Sequence, residues 1–262
     1  MSDYYRPQRQ RQLFNPDSVE PFRLSRSKVD LFLKCPFCFY LDRRLGVGTP
    51  PGFPLNLNSA VDFLLKKEFD HYRSLGQPHP WMVEHKIAAV PFVHPDLDRW
   101  RENFEGIRWH HTPTNFILTG AVDDIWVNLA GELLVVDYKA TSKDEEVTLD
   151  AEWQNGYKRQ VEFYQWLLER NGHAVAPAAY FVYLNGRRDR EALDGRLEFR
   201  VKIISHAGSR DWIEVTLGAA RRCLEAAVPP AAAADCDFCA YRRAVGVALS
   251  PAKSSGQLDL WS

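Results

Sequence analysis

LLVVDYKAT, Leu133–Thr141, is the stretch on which the fold turns. Its opening apolar run marks a strand covered on both faces, as strands at the centre of a sheet are. Asp137 and Lys139 then interrupt the run two residues apart. Side chains two apart on a strand leave from the same face, so a carboxylate and an ammonium stand side by side at the end of a core element. Upstream, FILTGAVDDIWVN (residues 116–128) reads as a second strand, with LAG (residues 129–131) as the connection. A hairpin turning about Ala130 sets Val127 opposite Leu133 and Asp123 opposite Asp137. Directly opposed side chains stand about 5 Å apart at Cβ. Asp123, Asp137 and Lys139 are therefore expected on one face, with Asp124 on the other.

Two ionised carboxylates that close repel each other. A divalent cation between them removes the conflict. Oxygen ligands suit Mg²⁺ or Mn²⁺, which keep several waters and take further ligands from substrate phosphate. Such an ion lowers the pKa of a bound water and stabilises charge on a phosphoryl oxygen. Lys139 beside it would orient or deprotonate that water, or neutralise the transition state. A simple ion pair at a strand end is the plainer alternative, and the rest of the chain decides between them.

Around this hairpin the elements alternate. SRSKVDLFLKCPFCFYLDRRLG (residues 25–46) has a helical pattern, with Ser25 or Ser27 as cap and Pro36 forcing a break or a new start. NSAVDFLLKKEFDHYRSL (residues 58–75) predicts a helix capped by Asn58 or Ser59. Residues 76–115 are expected to be mostly loop. YKRQVEFYQWLLERNG (residues 157–172) predicts a helix ended by Gly172, and AAYFVYLNG (residues 178–186) and RLEFRVKII (residues 196–204) predict strands. RDWIEVTLGAARRCLEAAV (residues 210–228) predicts another helix. The domain reading is a flexible arm at 1–20, one domain at 21–248 and a flexible tail at 249–262.

The chain has 262 residues, 45% hydrophobic and 26% charged, which fits one large ordinary globular domain. No apolar run is long enough to span a bilayer, and the opening MSDYYRPQRQRQLFNPDS has no charged-then-apolar leader pattern, so a cytoplasmic location is expected. A net charge of −1 neither marks nor excludes a nucleic-acid partner, because an acidic site offsets a local basic groove. Lys143, Lys158 and Arg159 flank the acids and are candidates to track phosphates. Arg187, Arg188 and Arg190 follow a later strand, interleaved with acids.

The ordered set Gly120-x-x-Asp123, Asp137-Tyr138-Lys139 and Gln160-x-x-x-Tyr164 resembles the PD-(D/E)XK nucleases of the RecB type. The opening SRSKVDLFLKCPFCFYL looks like the N-terminal helix of their CRISPR-associated RecB-like exonucleases and of the AddB nuclease. The resemblance implies an α/β fold: a restriction-endonuclease-like mixed sheet flanked by helices, with an N- and C-terminal helical cap clamped by cysteines. It implies a metal-dependent deoxyribonuclease, an exonuclease of DNA repair, recombination or defence, acting on DNA with a single-stranded end. Asp123 and Asp137 would bind metal, with the Tyr138 carbonyl as a further ligand and Lys139 as the catalytic lysine. Gln160 and Tyr164, one helical turn apart, would lie beside the site. The family's early-helix ligand, commonly His or Glu, is replaced: Asp62 falls at that place and is the preferred third side chain, with Glu68 further along. A catalytically silent DNA-binding subunit of the same fold is the alternative.

There are five cysteines, an odd count that argues against a disulfide framework. Cys35 and Cys38 form one C-x-x-C pair, Cys236 and Cys239 another, and Cys223 lies in an apolar helix as a small hydrophobe. Relatives with an iron–sulfur cluster use one cysteine from the first helix and three near the C-terminus. Here the last of those three is missing and Val245 stands in its place, while Cys38 is extra. Four thiolates in two such pairs suit either a 4Fe-4S cluster, which the resemblance favours, or tetrahedral Zn²⁺. Finally, Gln257-Leu258-Asp259-Leu260-Trp261 resembles the peptide by which bacterial DNA enzymes bind the replication sliding clamp. Gln257, Leu258, Leu260 and Trp261 would be its contacts, presented on a Ser/Gly linker.

Overall fold

The computed structural model describes residues 8–50, 52 and 56–250; the clamp-like peptide at 257–261 lies outside them. Among the described residues eight strands form two sheets. The larger has the order β2 (Ala89–Pro91), β5 (Asp124–Asn128), β6 (Leu133–Thr141), β7 (Ala178–Gly186), β8 (Phe199–Ala207). The smaller has the order β1 (Phe22–Ser25), β4 (Phe116–Gly120), β3 (Ile107–His111). Both are mixed: β6 runs parallel to β7 and β1 to β4, while the other neighbours are antiparallel. This is the mixed α/β architecture that the motif order implied.

The β6–β7 pair explains why α6 (Asn155–Arg170) exists. Parallel neighbours need a crossover, and a helix supplies it. Val161, Phe163, Tyr164, Leu167 and Leu168 on α6 are buried, packed with Leu133, Val135 and Phe181 from the sheet and with Leu118 of the smaller sheet. Leu134, Val136 and Tyr138 point the other way, onto Val61, Leu65 and Phe69 of α3 (Asn56–Leu75). Asp137 therefore continues the Leu133–Val135 row on the α6 side, which is why an acid there is buried.

Residues 116–128 do not form one strand. The chain leaves the smaller sheet after Gly120 and joins the larger at Asp124. Gly120 marks the break, because a Cβ there would stand 2.6 Å from Cε1 and 2.8 Å from Cδ1 of the buried Tyr164 ring. Only glycine lets the strand end lie against α6. Gly120→Ala is expected to cost about 1–3 kcal/mol by overpacking and to displace the neighbouring Asp123; thermal melting measures the loss.

The early segment splits as Pro36 required: α1 (Arg26–Lys34) ends at Cys35, and α2 (Pro36–Arg44) starts with proline at its first position. The helix expected from Asn58 begins at Asn56 instead. Residues 76–115 carry more order than expected, with β2, β3, α4 (Pro80–Glu84) and α5 (Leu97–Arg101). These elements are too short to show a period in the sequence. The arm expected to be loose is packed along part of its length: Phe14 is buried, and Arg9 pairs with Asp42 at 2.6 Å. The chain closes with α7 (Trp212–Glu225) and α8 (Asp237–Leu249).

Asp124 faces away from Asp123, as its place in the strand requires, and serves the fold. It is fully buried and accepts from Tyr138 Oη at 2.8 Å, Arg101 Nη2 at 2.8 Å and Arg73. Asp70 bridges the same two arginines. Asp124→Ala strips one carboxylate from two nearly buried guanidiniums, a loss near the lower end of about 3–5 kcal/mol. Calorimetric melting should show a fall of at least about 6 °C for a chain this size.

Candidate active site

The β5–β6 ladder pairs Asp124 with Val136 and Val127 with Leu133, the register expected for a hairpin turning about Ala130. One step beyond it, Asp123 meets Asp137. Asp123 sits in the bend before β5, and its Oδ2 accepts the Tyr138 N–H at 2.9 Å. The two carboxylates are thus held by adjacent strands at the place where one sheet hands the chain to the other.

Asp137 is 1% exposed, and among the described residues its carboxylate meets no donor other than the Lys139 ammonium, so Oδ1 has no hydrogen bond. Its one counter-charge is Lys139, in ion-pair contact with Oδ2. A sealed carboxylate whose second oxygen meets no donor is costly unless a further cation meets it. Burial, and then the charge of Asp137, push the Asp123 carboxyl up to about 7, while Lys139, Lys66 and the Tyr138 N–H pull it back. Two neighbouring carboxylates, one of them sealed from water and each short of donors for its remaining lone pairs, form a socket suited to a hard divalent cation. The residues present therefore fit Mg²⁺ or Mn²⁺.

Burial lowers the Lys139 ammonium, but the charges of Asp137 and Asp123 outweigh it and raise the group above its ordinary value. Lys139 Nζ also lies 4.4 Å from the ring centre of Tyr157. Gln160 Nε2 donates to Tyr164 Oη at 3.2 Å on the α6 face turned to the site. Burial raises the Tyr164 phenol; Arg26 opposes, and the charges of Asp123 and Asp137 add to the rise, which ties Tyr164 to the acid pair.

Asp62 comes near without joining the pair. Its Oδ2 holds Lys66 Nζ at 2.8 Å, and that ammonium stands 4.0 Å from Asp123 Oδ1. Glu68 is turned elsewhere, 2.9 Å from His79 Nε2. Lys66 and Tyr157 are the site neighbours that the motif reading missed. Lys66 carried a visible signal, one helical turn after Asp62; Tyr157 carried none. Of the basic candidates, Arg159 is committed to the buried Asp30 at 2.6 Å. Arg187, Arg188 and Arg190 are paired with Asp189, Asp144 and Glu198, so they make no basic track.

A family model for the PD-(D/E)XK nuclease superfamily matches residues 54–244. The chain belongs to this superfamily. No curated protein sequence matches it. The matched span of this nuclease-superfamily chain contains Asp123, Asp137, Lys139, Gln160 and Tyr164, together with Cys236 and Cys239. Cys35 and Cys38 lie before it.

Those four cysteines meet. Their sulfurs all lie within 4.8 Å of one another. Cys35 and Cys239 are 3.8 Å apart, Cys38 and Cys236 3.6 Å, and Cys38 and Cys239 3.5 Å. Hydrogen bonds from the Ala233 and Cys38 backbone, against burial, bring the Cys35 thiol down to about 7, while burial raises Cys38 and Cys239. Four cysteine sulfurs gathered at these distances form a ligand set that could hold a metal ion. Around one Zn²⁺, bonds of about 2.3 Å put tetrahedral sulfurs about 3.8 Å apart. A 4Fe-4S cube seats its thiolates on four separate irons and needs its own volume between them. Cys223 stands apart, partly exposed beside α2, its thiol raised by burial to about 11.

Proposed function

We propose that the chain is a divalent-metal-dependent deoxyribonuclease of the RecB-like type, cutting DNA from an end in repair, recombination or defence. The buried Asp137, met by the Lys139 ammonium alone and set beside Asp123, is the observation that carries the reading. Asp123 and Asp137 would hold Mg²⁺ or Mn²⁺, with the Tyr138 carbonyl and, once released from Lys66, Asp62 as further ligands. Bound there, the ion would activate water and neutralise phosphoryl charge. Lys139, kept protonated by the acid pair, orients the attacking water and meets the charge that develops on the phosphate. The Asp123 carboxylate, fixed by the Tyr138 N–H, keeps its spacing to Asp137 as substrate arrives. Gln160 and Tyr164 hold α6 against that spacing. Digestion of end-labelled single- and double-stranded DNA with Mn²⁺, Mg²⁺ or chelator tests this. A metal-dependent ladder of shortened products is expected; intact DNA under every condition, with folded protein, overturns it.

At the cysteines we propose a single structural Zn²⁺ in place of the 4Fe-4S cluster that the family resemblance favoured. The sulfur spacing supports it. The purified protein is expected to be colourless with one zinc per chain, and a brown protein carrying iron and sulfide would reverse the assignment. The tail peptide at Gln257–Trp261 remains our proposal for a sliding-clamp contact, tested by clamp binding of Leu260→Ala against wild type.

A further inference from the structure

Trp153 is 60% exposed, although an indole is among the largest apolar groups a chain can show to water. It is not carried on a slack loop. It lies in a 3-10 turn, Glu152–Gln154, that Gln154 fastens from within. Gln154 is buried; its Nε2 donates to the Thr148 carbonyl at 2.6 Å and its Oε1 accepts the Ala151 N–H at 3.0 Å. Asn185 holds the neighbouring loop in the same way, accepting the Lys143 N–H at 2.8 Å and donating to the Lys143 carbonyl at 3.0 Å.

The edge of this indole meets Tyr157, ring centres 5.5 Å apart at 83°. Tyr157 in turn lies under Lys139 Nζ, and Lys143 Nζ stands 5.3 Å from the Trp153 ring. The two rings, set edge to face, thus form a short aromatic shelf that leads outward from the acid pair, with Lys139 over the Tyr157 ring and Lys143 over the Trp153 ring. Acids nearby are already matched, Asp144 with Arg188 and Glu146 with Lys202. Among the described residues Lys143 has no carboxylate partner.

We propose that this shelf binds an unpaired nucleotide of the substrate. A base stacks on the open face of Trp153, its phosphate meets Lys143, and the strand runs in over Tyr157 to Lys139 and the acid pair. A base inside a duplex has both faces covered by its neighbours, so the shelf selects single-stranded DNA. The inference rests on the nuclease reading of the acid pair and adds to it the side chains that receive an unpaired base, Trp153 and Lys143.

The test is binding of a short fluorescein-labelled oligothymidylate, followed by anisotropy in an Asp137→Asn background so that no strand is cut. Stacking of a base on an aromatic ring is worth about 1–3 kcal/mol by alanine substitution. Trp153→Ala is therefore expected to weaken binding about 5- to 150-fold, and Trp153→Phe to restore most of it. A blunt duplex should bind equally to all three proteins. Unchanged oligothymidylate affinity in Trp153→Ala overturns the shelf, as does an equal loss on blunt duplex. Digestion by otherwise wild-type protein separates the two ideas. Cleavage with no effect of Trp153 removes the shelf and keeps the nuclease, whereas Trp153-dependent binding without any cleavage does the reverse.

Discussion

Lys139→Ala is expected to lower DNA cleavage by at least about 10²–10³-fold, the usual cost of removing a group that stabilises charge in the transition state. The reason lies in the strand. Lys139 shares its face with Asp137, and its ammonium is the counter-charge that the structure places on that acid. The two acids also raise it, so it stays protonated through the neutral range. No other ammonium can replace it: Lys66 lies beyond Asp123 and is held by Asp62. Single-turnover digestion of end-labelled DNA in saturating Mg²⁺ measures the loss, with oligonucleotide binding run beside it. Binding should change far less than cleavage. Chelation of divalent ions from wild type is expected to give a similar loss, restored by adding Mg²⁺ or Mn²⁺. Cleavage by Lys139→Ala within a few-fold of wild type would remove Lys139 from the chemistry.

The second large effect concerns α8. Cys239 is its one buried residue, and Phe238, Tyr241, Val247 and Leu249 are all more than half exposed. The helix has 13 residues, a length that is marginal in water without packing. Its attachment therefore rests on the sulfurs shared with α2. Cys239→Ser, or removal of the ion by a strong zinc chelator, is expected to bring the opening free energy of α8 close to zero. Hydrogen exchange across Asp237–Leu249 should then approach unprotected rates, while β6 and α6 keep theirs. Zinc-finger peptides gain about 10–16 kcal/mol from their ion, so the contrast should be large. Unaltered protection of α8 in Cys239→Ser would show that packing, not metal, holds the clasp.

The hairpin, its register and the acid pair were legible because they depend on local rules. A run of apolar residues marks a doubly covered strand, and alternation then fixes which face Asp123, Asp137 and Lys139 share. The site neighbours were not, because tertiary packing alone brings them in. Tyr157 reaches Lys139 only through the α6 crossover, and Lys66 reaches Asp123 only because α3 lies across the sheet. The single strand expected over residues 116–128 failed for a related reason. Its apolar pattern continues through Gly120, and the cause of the break is a ring on a helix some forty residues later. The cysteine set was visible as spacing, and the structure brings its four sulfurs together; spacing alone could not show that α2 and the start of α8 meet there, because tertiary packing brings them together.

The cysteine clasp also sets a schedule for how the molecule comes into being. Cys38 and Cys236 are 198 positions apart. At ribosomal speeds of about 5–20 residues per second, the first thiol pair waits about 10–40 s for the second. During that interval α1 and α2 hold two ligands of an unfinished site, open to whatever oxidant or soft metal ion reaches them first. The identity of the bound ion is then decided by cellular supply at the moment of closure, after the acid pair has already formed. A shortage of the ion that the four sulfurs take would leave chains with a sound acid pair and an unlatched end.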